Sequence, residues 1–111
     1  MTTVSTHVLD TARGRPAEGV PVTFDVWDDG EWQRVGKAET GPDGRVTTLP
    51  PAGAAGPVRG RLVFAVREYL VRTHGAAFFP EITVAFEAGP GEHYHVPLLL
   101  APFGYSTYRG S

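Results

Sequence analysis

The sequence predicts an all-β sandwich with one short helix. Three observations predict it. Short segments along the 111 residues alternate apolar and polar side chains, the pattern of strands buried on one face. Turn signals separate them, built from 14 Gly and 10 Pro scattered without a collagen period. Only one stretch reads as helix, so seven or eight strands must pack on one another.

The elements follow in order. Thr3 to Leu9 is rich in β-formers and runs into the turn Asp10–Gly14. In Val22–Trp27, Val22, Phe24 and Val26 form a buried face, while Thr23, Asp25 and Trp27 point the other way. Asp28-Asp29-Gly30-Glu31 is a hairpin turn, and the partner strand runs from Trp32 to Thr40. Gly41-Pro42-Asp43-Gly44 turns the chain into a short strand, Arg45–Leu49. Pro50 to Pro57 is a surface loop by composition. Leu62–Val66 is an apolar strand, and Arg67–Thr73 is the helix, stopped by His74-Gly75. Ile82, Val84 and Phe86 alternate along the next strand, and Ala88–Gly91 turns it. His93 to Leu100 is a strand, Ala101–Gly104 a tight turn, and Tyr105 to Tyr108 the last strand. All 111 residues form a single domain.

Composition excludes several functions. A net charge of −2 without a basic cluster offers nothing to nucleic acid or to an anionic membrane. No apolar run is long enough to span a bilayer, and the N-terminal residues carry no signal-peptide pattern. Cysteine is absent, which points to a reducing compartment or to stability from oligomerisation. Arginine outnumbers lysine nine to one, which supplies planar donors for anions and hints at a GC-rich genome. A bacterial cytoplasm fits these features, and the ending Arg109-Gly110-Ser111 is not a peroxisomal signal.

No phosphate loop, nucleophile elbow or zincin pair is present. The residues with chemical potential sit where strands usually carry bland ones. His7 lies in the first strand; alone it reads as a surface histidine, or as an imidazole able to accept a proton near neutrality. His93 and His95 flank Tyr94 and so share one face of a strand. That pair could bind a metal, but the only other histidines are His7 and His74, and the metal reading is the weaker one. Arg45 follows a turn glycine and reads as a solvated arginine or as a bidentate anion donor. Glu92 and the Asp28-Asp29 pair read as solvated turn residues. The ending Tyr108-Arg109-Gly110-Ser111 lacks the look of a fraying tail.

Taken together, these segments resemble the 5-hydroxyisourate hydrolases, enzymatic relatives of transthyretin. The resemblance rests on Ser5-Thr6-His7-Val8-Leu9-Asp10, on Asp43-Gly44-Arg45, on Phe78-Phe79-Pro80-Glu81-Ile82, and on His93-Tyr94-His95-Val96-Pro97-Leu98-Leu99-Leu100 running to Tyr108-Arg109-Gly110-Ser111. It covers essentially the whole chain. Ala101, where the family would have serine, and the helix start Arg67–Val71 depart from it. The resemblance implies a transthyretin-like sandwich of two four-stranded sheets. It further implies edge-strand dimers that pair into a homotetramer, with active sites in the channel between dimers. It assigns catalysis to His7, Arg45 and His95, and substrate binding to His7, Arg45, Tyr108, Arg109, Gly110 and Ser111. His93 is at most a supporting residue. No metal and no cofactor is implied.

With no cysteine, and no serine with an evident base, the expected chemistry is direct attack by water. His7 or His95 would activate the water, and Arg45 would stabilise the developing anion and keep a neighbouring imidazole neutral. Activity should then fall as acid charges the imidazoles. The competing readings are a transthyretin-type carrier of a small aromatic ligand and a non-catalytic interaction module.

Overall fold

A computed structural model of the chain describes residues 2–47, 49 and 58–111. The strands are β1 (Thr3–Asp10), β2 (Arg15–Pro16), β3 (Pro21–Asp28), β4 (Glu31–Glu39), β5 (Arg45–Val46) and β6 (Val58–Phe64). The helix α1 (Arg67–His74) follows, then β7 (Ile82–Ala88), β8 (His93–His95), β9 (Leu98–Ala101) and β10 (Gly104–Thr107). The expected loop Pro50–Pro57 and Thr48 of the expected strand Arg45–Leu49 lie outside the described residues.

One sheet is antiparallel throughout, in the order β4-β3-β6-β7. Its hairpin turns where expected, at Asp29 and Gly30, both with positive φ (50° and 81°). Asp25 departs from the simple alternation. A register shift between Phe24 and Asp25 accompanies its burial, and Arg61 Nε donates to its carboxylate at 2.9 Å.

The second sheet contains six strand segments but is four positions wide. β8 and β9 both run parallel to β1, pairing with Thr3–Ser5 and Val8–Asp10 respectively. They are two halves of the single strand expected from His93 to Leu100, interrupted at Val96-Pro97 because proline has no N–H for the ladder. Side chains bridge the break: Thr6 Oγ1 donates to the Val96 carbonyl at 2.6 Å, and Thr107 Oγ1 to the Pro97 carbonyl at 2.7 Å. On the other side of β1, β5 pairs antiparallel with its middle, at Thr6 and His7, and β2 with its end, at Leu9 and Asp10. β10 pairs with β9.

The core lies between the sheets. Val4 and Val8 of β1, Val22 and Phe24 of β3, Leu62 and Phe64 of β6, and Leu98 and Leu100 of β9 are all fully buried. Each such side chain stabilises the fold by roughly 1.5–3 kcal/mol. Because strand side chains alternate, burying Val4, Thr6 and Val8 sends Thr3, Ser5 and His7 to the outer face of the second sheet.

Helix α1 packs Tyr69 and Leu70 inward and ends at Gly75, whose φ of 76° permits the left-handed cap. His74, expected only as part of the helix stop, anchors the helix. Its Nε2 and the Tyr69 hydroxyl both meet Oδ2 of buried Asp10 at 2.7 Å. The backbone amides of Ala12 and Arg13 donate to Oδ1 at 3.1 Å. Burial alone would raise the Asp10 carboxyl, but the Tyr69 and His74 hydrogen bonds and the Arg13 amide outweigh it and hold the pKa below the ordinary range.

Candidate active site

Two strand registers assemble the site. The parallel β1–β8 register sets Thr3 beside His93 and Ser5 beside His95. The antiparallel β1–β5 register sets His7 beside Arg45. Segments about 90 residues apart thus place three of the four histidines and one arginine on the outer face of the second sheet.

Arg45 owes its place to the turn before it. Gly44 has φ +75° and donates to the Gly41 carbonyl at 2.8 Å. Its own carbonyl accepts from the Val8 amide at 2.8 Å, docking the turn on β1. A Cβ at Gly44 would stand 2.5 Å from the Val8 carbonyl oxygen, so the close approach requires glycine. Asp43 accepts from the Arg45 amide at 3.0 Å, while its ion pair with the guanidinium is long, 4.0 Å, and exposed. Such a pair contributes little, which leaves the guanidinium available for a ligand.

Ser5, Arg45, Thr47, His93, His95 and Ser111 border an open hollow of about 230 Å³. His95 is its best-defined member. Its Nδ1 lies 2.9 Å from Ser5 Oγ, and its carbonyl accepts from the Gly110 amide at 2.7 Å. Burial, then the charge of Arg45, then His7 and His93, push its pKa below the ordinary imidazole value. The ring is therefore neutral and able to accept a proton near neutral pH. His7 holds a buried Nε2 that has no hydrogen-bond partner among the described residues. A buried polar atom without a partner is uncommon and marks a position that a ligand can satisfy.

The structure brings Arg45, His93, His95 and Ser111 onto one hollow; His7 is paired beside Arg45 and Gly110 is bridged to His95, but neither borders it. It places Tyr108 and Arg109 in a separate groove of about 220 Å³, against Val84, Phe86, Tyr94 and Val96, on the side of the strand opposite to His93 and His95. Tyr108 is largely exposed there, and the Arg109 guanidinium stacks 4.4 Å above the Tyr94 ring. Sequence reasoning missed Thr3, Ser5 and Thr47. It also found no serine near a base, whereas Ser5 Oγ lies 2.9 Å from a nitrogen of both His93 and His95. The signal for Ser5 was its two-residue spacing from His7, which puts both on one face of β1.

No group of three or more His, Cys, Asp or Glu side chains that could hold a metal converges among the described residues. Both ring nitrogens of His93 are engaged by hydroxyls, Nδ1 by Thr3 at 2.7 Å and Nε2 by Ser5 at 2.9 Å. The His93–His95 pair is thus tied into a hydrogen-bond chain. The arrangement suits acid–base chemistry on an anionic, planar substrate: an imidazole base, a second imidazole, and a cation to hold developing negative charge.

Fold and site together define a transthyretin-type two-sheet sandwich with imidazoles and a guanidinium on one outer sheet face. A family model described as HIUase/Transthyretin family matches residues 4–110, and the chain belongs to that family. The 5-hydroxyisourate hydrolase of Salmonella typhimurium is 44% identical over 109 residues, covering 97% of this chain and 80% of the relative. The solved structure of Klebsiella pneumoniae 5-hydroxyisourate hydrolase superposes with a TM-score of 0.83 at 37% identity, covering 100% of both chains. Sea bream transthyretin, solved in complex with thyroxine, gives a TM-score of 0.87 at 26% identity, covering 96% of this chain and 93% of that one. An enzyme and a hormone-binding protein share this backbone, so the side chains must decide between them.

Proposed function

We propose that this protein is a hydrolase that opens the ring of 5-hydroxyisourate in urate breakdown, yielding 2-oxo-4-hydroxy-4-carboxy-5-ureidoimidazoline. The observation that carries the reading is His95, half-buried beside Arg45 in the hollow, with its pKa pushed below the ordinary imidazole value. The 44% identity to relatives named for this reaction supports it.

His95 takes a proton from water as the oxygen bonds to a ring carbonyl carbon. Arg45 stabilises the oxyanion that forms. The ring C–N bond then breaks, and an imidazole returns the proton to the departing nitrogen, with His7 the second such group at the site. No covalent intermediate is needed: Ser5 is buried and its one hydroxyl is shared between two imidazoles. Ser111 shapes the rim of the hollow, Gly110 ties the terminal segment to His95, and Tyr108 and Arg109 hold that segment from the groove beside Tyr94. The working form is a homotetramer, a dimer of dimers, in which this open face becomes the wall of a channel. Among the described residues, no helix is long and apolar enough to cross a membrane. The bacterial relatives fit a cytoplasmic enzyme of a bacterium.

The test couples urate oxidase to this protein and follows the decay of 5-hydroxyisourate by absorbance. Decay accelerated by the protein and reduced about 10²–10⁴-fold by His95→Ala is expected. Decay no faster than buffer from a folded protein would turn the reading towards a carrier.

A further inference from the structure

The hydroxyls and imidazoles beside His95 form one continuous chain. Thr3 Oγ1 lies 2.7 Å from His93 Nδ1, His93 Nε2 lies 2.9 Å from Ser5 Oγ, and Ser5 Oγ lies 2.9 Å from His95 Nδ1. A serine hydroxyl has a single proton, so it can donate to only one of the two imidazoles; with that proton kept within the chain, its oxygen accepts from the other. With both rings neutral and the Ser5 proton within the chain, two directions are consistent. In one, Thr3 donates to His93, His93 to Ser5, and Ser5 to His95 Nδ1; His95 then carries its proton on Nε2 and has no lone pair left for water. In the other, His95 Nδ1–H donates to Ser5, Ser5 donates to His93 Nε2, and His93 Nδ1–H donates to Thr3. Only the second direction leaves His95 Nε2 as an acceptor.

Arg45 selects between them. Its guanidinium borders the same hollow as His95. A fixed cation favours a lone pair over an N–H on the imidazole nitrogen that faces it, and Ser5 already holds Nδ1. The other end of the chain is exposed at His93 and Thr3, where water accommodates either direction.

We infer that Ser5 and His93 are positioning residues for hydrolysis: they hold His95 as the Nδ1–H tautomer, with Nε2 free to take the proton of the attacking water. This inference rests on the hydrolase reading for its consequence but not for its geometry. It gives His93, read from sequence as at most supporting, a defined task. It also explains why a serine follows the histidine face on β1. The role parallels that of any partner that orients a catalytic imidazole through its second nitrogen.

The test reads the tautomer directly. Long-range ¹H–¹⁵N spectra of the ¹⁵N-histidine-labelled protein, assigned with single-histidine variants, report which nitrogen of His95 is protonated. The expected result is Nδ1–H in the wild type, with a shift towards Nε2–H in Ser5→Ala. In the decay assay, Ser5→Ala and His93→Leu should lose about tenfold in kcat with KM little changed, a fraction of what the base itself contributes. His93→Gln, whose carbonyl still accepts from Ser5, should keep the Nδ1–H tautomer and recover most of the rate. An Nε2–H tautomer in the wild type, or one unmoved by Ser5→Ala, would overturn the inference. So would a loss in Ser5→Ala as deep as that in His95→Ala, which would mark Ser5 as a reacting group. A protein with the expected tautomer but no turnover would instead sink the hydrolase reading and leave the hydrogen-bond chain standing.

Discussion

The backbone of Gly110 closes on His95. Its amide donates to the His95 carbonyl at 2.7 Å, and a Cβ added to it would stand 2.6 Å from the ring Cδ2. Real Cβ atoms do not approach so closely, so any larger residue must push the imidazole or lift residues 108–111 off the sheet. Gly110→Ala should therefore lower kcat, by up to about a hundredfold if the ring moves by an ångström. The coupled decay assay checks this. Unchanged kcat would show that the ring and the terminal segment adjust independently.

The acid limb of the activity should lie lower than free histidine would give. Burial, then Arg45, then His7 and His93, depress the pKa of His95, so its basic form persists below about 6.5, the ordinary imidazole value. The fall on acidification expected from a histidine base is thus displaced to lower pH. Arg45→Gln removes one of these causes and should move the limb back towards the ordinary value, as well as slowing the reaction. Linkage gives the same sign for stability: the folded form is favoured above the unfolded histidine's pKa, and that advantage is lost as pH falls through the depressed value. Rate profiles from pH 5 to 8 of both proteins are the measurement.

Gly44→Ala combines two penalties. It places an L-residue at φ +75° and drives a Cβ to 2.5 Å from the Val8 carbonyl oxygen. A loss of about 2–4 kcal/mol is expected in urea unfolding. The turn also carries Arg45, so residual folded protein should show reduced kcat.

Tyr69→Phe deletes the hydroxyl that donates to Asp10 at 2.7 Å. It should cost about 1–3 kcal/mol, because Asp10 keeps its burial and loses a donor. The carboxylate's contribution is present above its unfolded pKa and lost as pH falls through the lower folded value. Without the hydroxyl the folded value rises, so acid unfolding should begin at higher pH. Circular dichroism against pH would show it.

Much of the fold was legible because it obeys period two. Val22, Phe24, Ile82 and Leu98 alternate as strand residues must, and Gly30 and Gly75 mark a hairpin and a helix end by their φ. β2 was not visible because two residues carry no period, whereas the strand expected from Arg45 to Leu49 is present but paired as β5 only at Arg45–Val46. The polar interior was hidden for another reason. Asp10, Asp25 and His74 look like solvent-facing or turn residues until their partners are known, and Tyr69 and Arg61 reach them from 59 and 36 positions away. For the candidate site, the shared face of His93 and His95 followed from alternation. The meeting of β8 with β1 did not, because parallel pairing across 90 residues leaves no local trace. That is why Ser5 and Thr3 were missed although His7, two residues on, was singled out.

The parallel pairing of β1 with β8 and β9 also sets a schedule. During synthesis, Ser5 and His7 leave the ribosome early; β5 can reach His7 once Arg45 emerges, but the partners of Thr3–Ser5 on β8 come only with residues 93–95. The hairpin of β3 and β4 can close long before then, since its contacts are local. The candidate site is thereby completed last, and an incomplete nascent chain can hold half a sandwich without the full set of imidazoles.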